Sequence, residues 1–332
     1  MQLIKIVKIA IGSAIAISIA SVMDLSYAGA AGIITLLTLQ DTKKATLFVA
    51  IKRFIAFFAA FAIAYAVFQL FSYSSLSFGI FLLFFTGLCF YFKMEEAIPI
   101  NAVLVTHYLA EKTLSLTMFI NEGLLLLIGV GIGITLNLYI PKNTKKIRTK
   151  QRIIEDSLRQ VLLQMSDDLL QEVKLDNRDR LIDLKHHVDY GLEQAYQNMK
   201  NTLFQDTRYY ITYMEMRSKQ YVLLNEIQEK ILTLYMVPIQ AKDISDFIRQ
   251  IAAKLSEHQN TRELFVLLNK LWVQMENSPL PITREEFENR AILYVIIMDF
   301  RMFLQIKKDF VDELTKQQKE QYWEKPQHLR ES

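Results

Sequence analysis

Five side chains in the first 140 residues stand out because they are polar or charged amid apolar neighbours: the adjacent Lys52 and Arg53, then Asn101, His107 and Glu122. A charged group inside lipid costs about 2.5–3.5 kcal/mol on insertion scales, so each needs a partner, water or a task. A Lys–Arg pair at the inner mouth of an apolar segment attracts anions; it also serves as a snorkelling anchor. Histidine, with an ordinary pKa near about 6.5, can exchange protons around neutrality, and a carboxylate can share that work. The plainer roles are an interfacial hydrogen bond for His107 and contact with interfacial water for Glu122. Asn101 either lines a polar path or, like Asn137, joins neighbouring helices.

The elements that carry these groups follow from charge and hydropathy. Residues 1–140 hold eight Lys/Arg and six Asp/Glu, whereas 141–332 hold thirty and twenty-nine. The first part reads as a transmembrane domain, 1–141, and the second, 142–332, as a water-solvated helical domain. Six apolar segments can be drawn, at about 4–22, 26–40, 54–72, 76–92, 97–110 and 116–140. The second and fifth are short for a bilayer core of about 30 Å. If all six cross, Lys5, Lys8, Lys43, Lys44, Lys52, Arg53, Lys93 and the KNTKKIRTKQR run fall on the cytoplasmic side, and Lys112 alone on the other. That asymmetry places both termini in the cytoplasm. The opening MQLIKIVKIAIGSAIAISIA has the charges and apolar run of a signal peptide without a convincing cleavage site, so it is expected to stay as the first span.

A shift of 71 residues sets MDLSYAGAAGIITLLTLQDT (23–42) against MEEAIPINAVLVTHYLAEKT (94–113), with Met, Ala, Thr and Thr coinciding at four positions and an acid near each start. Each block holds one of the short segments. Two three-span units of opposite topology are the expected architecture, one that transporters use to place a permeation route between interrupted helices. Small residues in AGAAG (28–32) and the GxxxG of Gly129 and Gly133 predict close helix packing. Cys89 lies in an apolar run and is expected to be a small buried hydrophobe.

Beyond Pro141, Lys142, Lys145, Lys146 and Arg148 form a basic cluster suited to anionic lipid headgroups. The rest predicts five or six packed helices and no strands. Tyr221, Leu224, Ile227, Ile231 and Leu234 share one helix face; Phe287, Ala291, Tyr294, Met298 and Met302 give another such face. In SPLPITREEFENR, Thr283 and Glu286 have capping-box spacing and predict a helix start. Asp183, His186, His187 and Asp189 are expected on a solvated face rather than as metal ligands, and Tyr209, Tyr210, Tyr213 and Tyr221 in the core rather than around an aromatic pocket. There is no phosphate-binding glycine loop and no nucleophile–base motif, so no enzyme activity, metal or cofactor is expected. A net charge of +3 gives no basis for nucleic-acid binding.

The segments LQDTKKAT, the Arg53 start of the third span and LPITREEFENRAILYVIIMDFRMFLQIKKDF resemble the aromatic acid exporter family of Firmicutes-type bacteria, with TREEFENRA (283–291) the most specific. The family is more distantly similar to fusaric-acid-resistance pumps and malate-activated anion channels of plants. After Arg53 this chain has FIAFFAAFAIAY where many relatives carry a glycine-rich run. The resemblance implies an all-α fold and proton-driven export of small organic, often aromatic, anions by an oligomer in the bacterial cell membrane. A dimer is the favoured assembly. The remaining expectations are a passive anion channel and a membrane-anchored scaffold or sensor.

Overall fold

The computed structural model describes residues 2–139, 144–171, 173–174, 178–203, 206–256 and 261–324. Among them there are helices and connecting turns but no strand. The chain divides into two compact units, the first Met1–Lys142 with Lys200–Phe204 and the second Asn143–Met199 with Gln205–Ser332.

In the first unit, α1 (Gln2–Val22), α3 (Lys43–Phe71) and α6 (Leu116–Leu138) are long and apolar enough to cross a membrane. Between them lie α2 (Gly29–Thr38), α4 (Ser75–Tyr91) and α5 (Ile98–Glu111). Hydroxyl caps start three of these helices: Thr42 accepts from the Ala45 N–H, Ser74 from Ser77 and Ser115 from Met118. Most neighbour relations come in matching pairs, the exception being α2 on α3, which has no comparable α5–α6 counterpart. Helix α2 packs on α1 and α6 and α5 on α4 and α3; α1 touches α6 and α4 touches α3; α2 meets α5 and α3 meets α6. Large apolar side chains such as Ile11, Ile55, Phe58, Leu83 and Phe84 remain exposed on the outside, a surface fit for lipid rather than water.

Two boundaries differ from the hydropathy reading. The third segment does not open at Lys52 and Arg53: α3 begins at Lys43, so the pair lies about three turns inside the helix. The Thr42 cap and the apolar LFVAI carry the helix through two charges at which hydropathy stops. The second segment is helical for only ten residues, about 15 Å. Four more residues, 39–42, with Leu39 and Thr42 extended, add at most about 13 Å.

Extended backbone at that depth must find partners within the protein. Arg53 Nη2 donates to the Leu37 carbonyl (2.8 Å), and Asn137 Nδ2 donates to the Gln40 carbonyl (2.9 Å) and the Thr42 carbonyl (3.4 Å). Asn137 thus joins α6 to the tail of α2.

The GxxxG of α6 is the seat of α2. A Cβ on Gly129 would lie 2.6 Å from Ile34 Cβ and 2.7 Å from the Ala31 carbonyl, and one on Gly133 2.6 Å from Thr38 Cγ2; at Gly131 there is open space. Gly129→Ala is therefore expected to destabilise the detergent-solubilised protein by about 1–3 kcal/mol through overpacking, read as a lower melting temperature. Gly131→Ala should leave it unchanged or slightly higher. Equal effects at the two positions would contradict this packing.

The second unit holds α7 (Thr144–Asp168), α8 (Arg178–Asn201), α9 (Arg208–Thr233), α10 (Ala241–Lys254), α11 (Arg262–Glu276), α12 (Arg284–Glu313) and the short α13 (Lys316–Lys319). One apolar core runs through them, with Leu158, Leu184, Tyr213, Leu224, Ile248 and Phe300 among its members. Thr283 caps α12 by accepting from the Glu286 N–H (3.1 Å), and the Glu286 carboxylate accepts from the Ile282 N–H (2.9 Å). Inside the core, Arg217 is fully buried yet satisfied by Glu155, Tyr213 and Gln220.

The α12 stripe is a correction. Phe287, Tyr294, Met298 and Met302 are exposed, while Leu293, Ile296, Ile297, Phe300 and Phe303 face the core. Helix α12 is apolar around most of its circumference, so periodicity identifies two faces without ranking them, and the more β-branched and aliphatic one packs inward.

Candidate functional site

The sequence-selected polar groups of the first unit fall into two clusters. Each sits where a short helix meets a long one.

The first is built where α2 ends. Arg53 is 2% exposed. Its Nη1 donates to Thr38 Oγ1 (2.6 Å) and its Nη2 to the Leu37 carbonyl, while Nε has no partner. These acceptors are neutral, and among the described residues no carboxylate pairs with the guanidinium. Asn101 of α5 is fully buried beside it; its Nδ2 donates to the Arg53 carbonyl (3.3 Å) and the Ala97 carbonyl (3.0 Å), and its Oδ1 is unpartnered. Lys52 points elsewhere: its Nζ is 3.0 Å from Glu96 Oε2 and lies over the Phe48 ring. The adjacent cations therefore divide. Lys52 bonds the acid directly, whereas Arg53 feels Glu96 only at a distance and, among the described residues, keeps a buried charge with no directly bonded carboxylate, a place that a carboxylate would fill in bidentate fashion.

The second cluster lies under α5. His107 Nδ1 and Glu122 Oε2 are 2.8 Å apart, with the Glu122 carboxyl fully buried. Either an imidazole N–H donates to a carboxylate or a carboxylic acid donates to the imidazole, so one proton can sit on either side of the bond. Asn121 Nδ2 donates to Glu122 Oε1 (3.0 Å) and to the Ser26 carbonyl (3.1 Å), and the Ser26 N–H donates back to Asn121 Oδ1 (2.9 Å). The Tyr27 ring stacks on His107 at 4.0 Å and nearly parallel, and its hydroxyl donates to Glu111 (2.9 Å). Tyr27 reaches this position from a backbone with φ 61°, a left-handed conformation uncommon for a non-glycine residue.

Tyr27, Glu111, Ser26, Thr38 and Glu96 were not candidates in the sequence. They lie at the ends of the short helices or in the segments just before them, and Tyr27 and Glu111 are 84 residues apart. Only their presence in matching blocks of the 71-residue repeat marks them.

Of the basic cluster, Lys145 and Lys146 are exposed on the first turn of α7, and Lys142 lies outside the described residues. Arg148 turns inward: it donates to Gln151 and the Tyr322 carbonyl and lies over the Tyr210 and Tyr322 rings.

Residues 2–140 match the family model described as "Aromatic acid exporter family member 1", and residues 144–308 match the one described as "Putative aromatic acid exporter C-terminal domain". "Uncharacterized protein YqjA" of Bacillus subtilis (strain 168) is 28% identical over 306 residues, 92% of this chain and 95% of that protein. A solved structure, "Crystal structure of putative membrane protein from Clostridium difficile 630", is 30% identical, covering 50% of this chain and 99% of its own, at a TM-score of 0.45. Two adjoining models of one exporter family thus account for nearly all of the sequence, and the chain belongs to the aromatic acid exporter family.

Proposed function

We propose that the protein is a secondary exporter of small organic anions, aromatic acids foremost, driven by the proton gradient across a bacterial cell membrane. The carrying observation is the buried Arg53 guanidinium, which directly bonds no acid among the described residues at the point where α2 unwinds. The anion's carboxylate replaces that missing partner, with Asn101 beside it. The His107–Glu122 pair holds the coupling proton.

Six spans with both termini cytoplasmic fit the Lys/Arg distribution, and a cytoplasmic helical bundle follows from that orientation. The matching neighbour relations of α1–α3 and α4–α6 support a 3+3 inverted repeat, in which α2 and α5 enter from opposite sides. In that arrangement Arg53 serves the inner end of the route and His107–Glu122 the outer. Lys145 and Lys146 meet anionic headgroups, and the chain works as a homodimer.

Inverted membrane vesicles test the transport claim. An inside-acid gradient is expected to drive accumulation of labelled 4-hydroxybenzoate, and an uncoupler should abolish it. Accumulation indifferent to the uncoupler, or unitary currents in a planar bilayer, would replace the carrier with a passive anion channel. Absence of any flux across a panel of organic anions would leave a membrane-anchored scaffold.

A further inference from the structure

The stretch TREEFENRA (283–291) belongs to the second unit. It builds one wall of an open cavity of about 470 Å³ in the second unit, within the range of small-molecule sites. Phe287, Arg290, Ala291 and Tyr294 line it from α12, Trp272 and Glu276 from α11, and Gln240 from the start of α10. The walls are largely apolar and include three aromatic rings: Trp272 and Tyr294 lie 4.9 Å apart between ring centroids, and Phe287 is exposed.

Two residues that line this cavity each carry a buried polar atom without a partner. Gln240 is 7% exposed, and its Oε1 accepts nothing; Arg290 Nε is buried and donates to nothing. A buried orphaned polar atom costs about 1–3 kcal/mol, a cost that a ligand bearing the complementary group removes. The vacancy therefore calls for one donor, to Gln240, and one acceptor, for Arg290.

Charge narrows the class. Both terminal nitrogens of Arg290 already hold a partner: Nη1 donates to the Pro279 carbonyl and Nη2 to Glu286. Hydrogen bonding from the Ile282 N–H, with the Arg290 charge, holds the Glu286 carboxyl below its ordinary value, so the pair is already neutral. Glu276, which accepts from Trp272 Nε1, adds a negative charge at the wall. A second carboxylate would meet that charge and offer Gln240 no proton.

We propose that this cavity is a binding site for a small, flat, uncharged aromatic molecule whose head group carries both a hydrogen-bond donor and an acceptor, such as a benzamide-type carboxamide. The ring stacks among Trp272, Tyr294 and Phe287, and the head group bridges Gln240 and Arg290. The site is separate from the transport clusters and does not rest on the transport reading.

Trp272 provides the reporter. Titrating full-length protein in detergent with benzamide is expected to quench tryptophan emission saturably with a Kd below about 1 mM. Trp272→Phe should remove that signal. Gln240→Leu, which removes the unpartnered amide oxygen, should weaken binding about tenfold or more, and Ala291→Phe should block the cavity, both with unchanged helical circular dichroism. Benzoate should bind at least about tenfold more weakly than benzamide. Unsaturable quenching, equal affinity in Gln240→Leu, or tighter binding of benzoate would overturn the proposal. So would a Trp272 emission that shifts with protein concentration alone, which would assign the cavity to a second copy of the chain.

Discussion

Arg53→Met is expected to cut organic-anion transport about 10- to 100-fold while leaving the protein folded and in the membrane. A hydrogen bond to a charged group is worth about 1.5–3 kcal/mol, and each 1.4 kcal/mol is tenfold in affinity. Stability should change far less, because two effects oppose each other. Thr38 and the Leu37 carbonyl lose their donors, and the fold no longer has to desolvate a charge that bonds no acid directly. Arg53→Lys separates charge from geometry. It keeps the cation but lacks the planar fork, so it should recover part of the flux while losing selectivity for carboxylates. Vesicle uptake, with the melting temperature of the purified variants, reads both. Wild-type flux in Arg53→Met would make the residue only a cap for the end of α2.

Glu122→Gln is expected to separate coupling from movement. The amide still fills the space and bonds to its neighbours, but no proton can be held between positions 107 and 122 as on an acid. Gradient-driven uptake should fall at least about tenfold, the low end of what a positioned proton-transfer group contributes being higher still. Exchange of labelled for unlabelled anion in the absence of a gradient should persist. His107→Ala should behave alike in the gradient assay. Glu122→Ala goes further. It strips His107 Nδ1 and Asn121 Nδ2 of their shared partner inside the protein, which costs about 1–3 kcal/mol for each orphaned group and should lower the melting temperature. Full gradient-driven uptake in Glu122→Gln would remove the pair from the coupling step.

Much of this could be seen in the sequence, for identifiable reasons. The long helices and the two short segments were legible because apolar run length is a one-dimensional property. So was the start of α12, since Thr283 needs only its own chain three residues on to form its cap. Hydropathy misplaced the start of α3 because it treats Lys52 and Arg53 as an end, whereas one is paired with Glu96 and the other bonds the tail of α2. Both partners lie outside the helix itself.

His107 and Glu122 were each recognisable as costly in lipid, but their pairing needed the two side chains, fifteen residues apart, to meet from different helices. The Tyr27 stack and the Asn121–Ser26 bonds, spanning up to 95 residues, had no local signal. On α12, periodicity grouped Phe287 with Tyr294 correctly and could not say that the opposite face was the better core.

Sided cysteine labelling tests the inverted arrangement most directly. Lys44, beyond the tail of α2, and Thr113, just past α5, are both exposed. In a Cys89→Ala background, a membrane-impermeant maleimide applied to intact cells is expected to modify Thr113→Cys and to reach Lys44→Cys only after permeabilisation. Labelling of Lys44→Cys from outside, or of both positions from the same side, would contradict two short helices that cross in opposite directions.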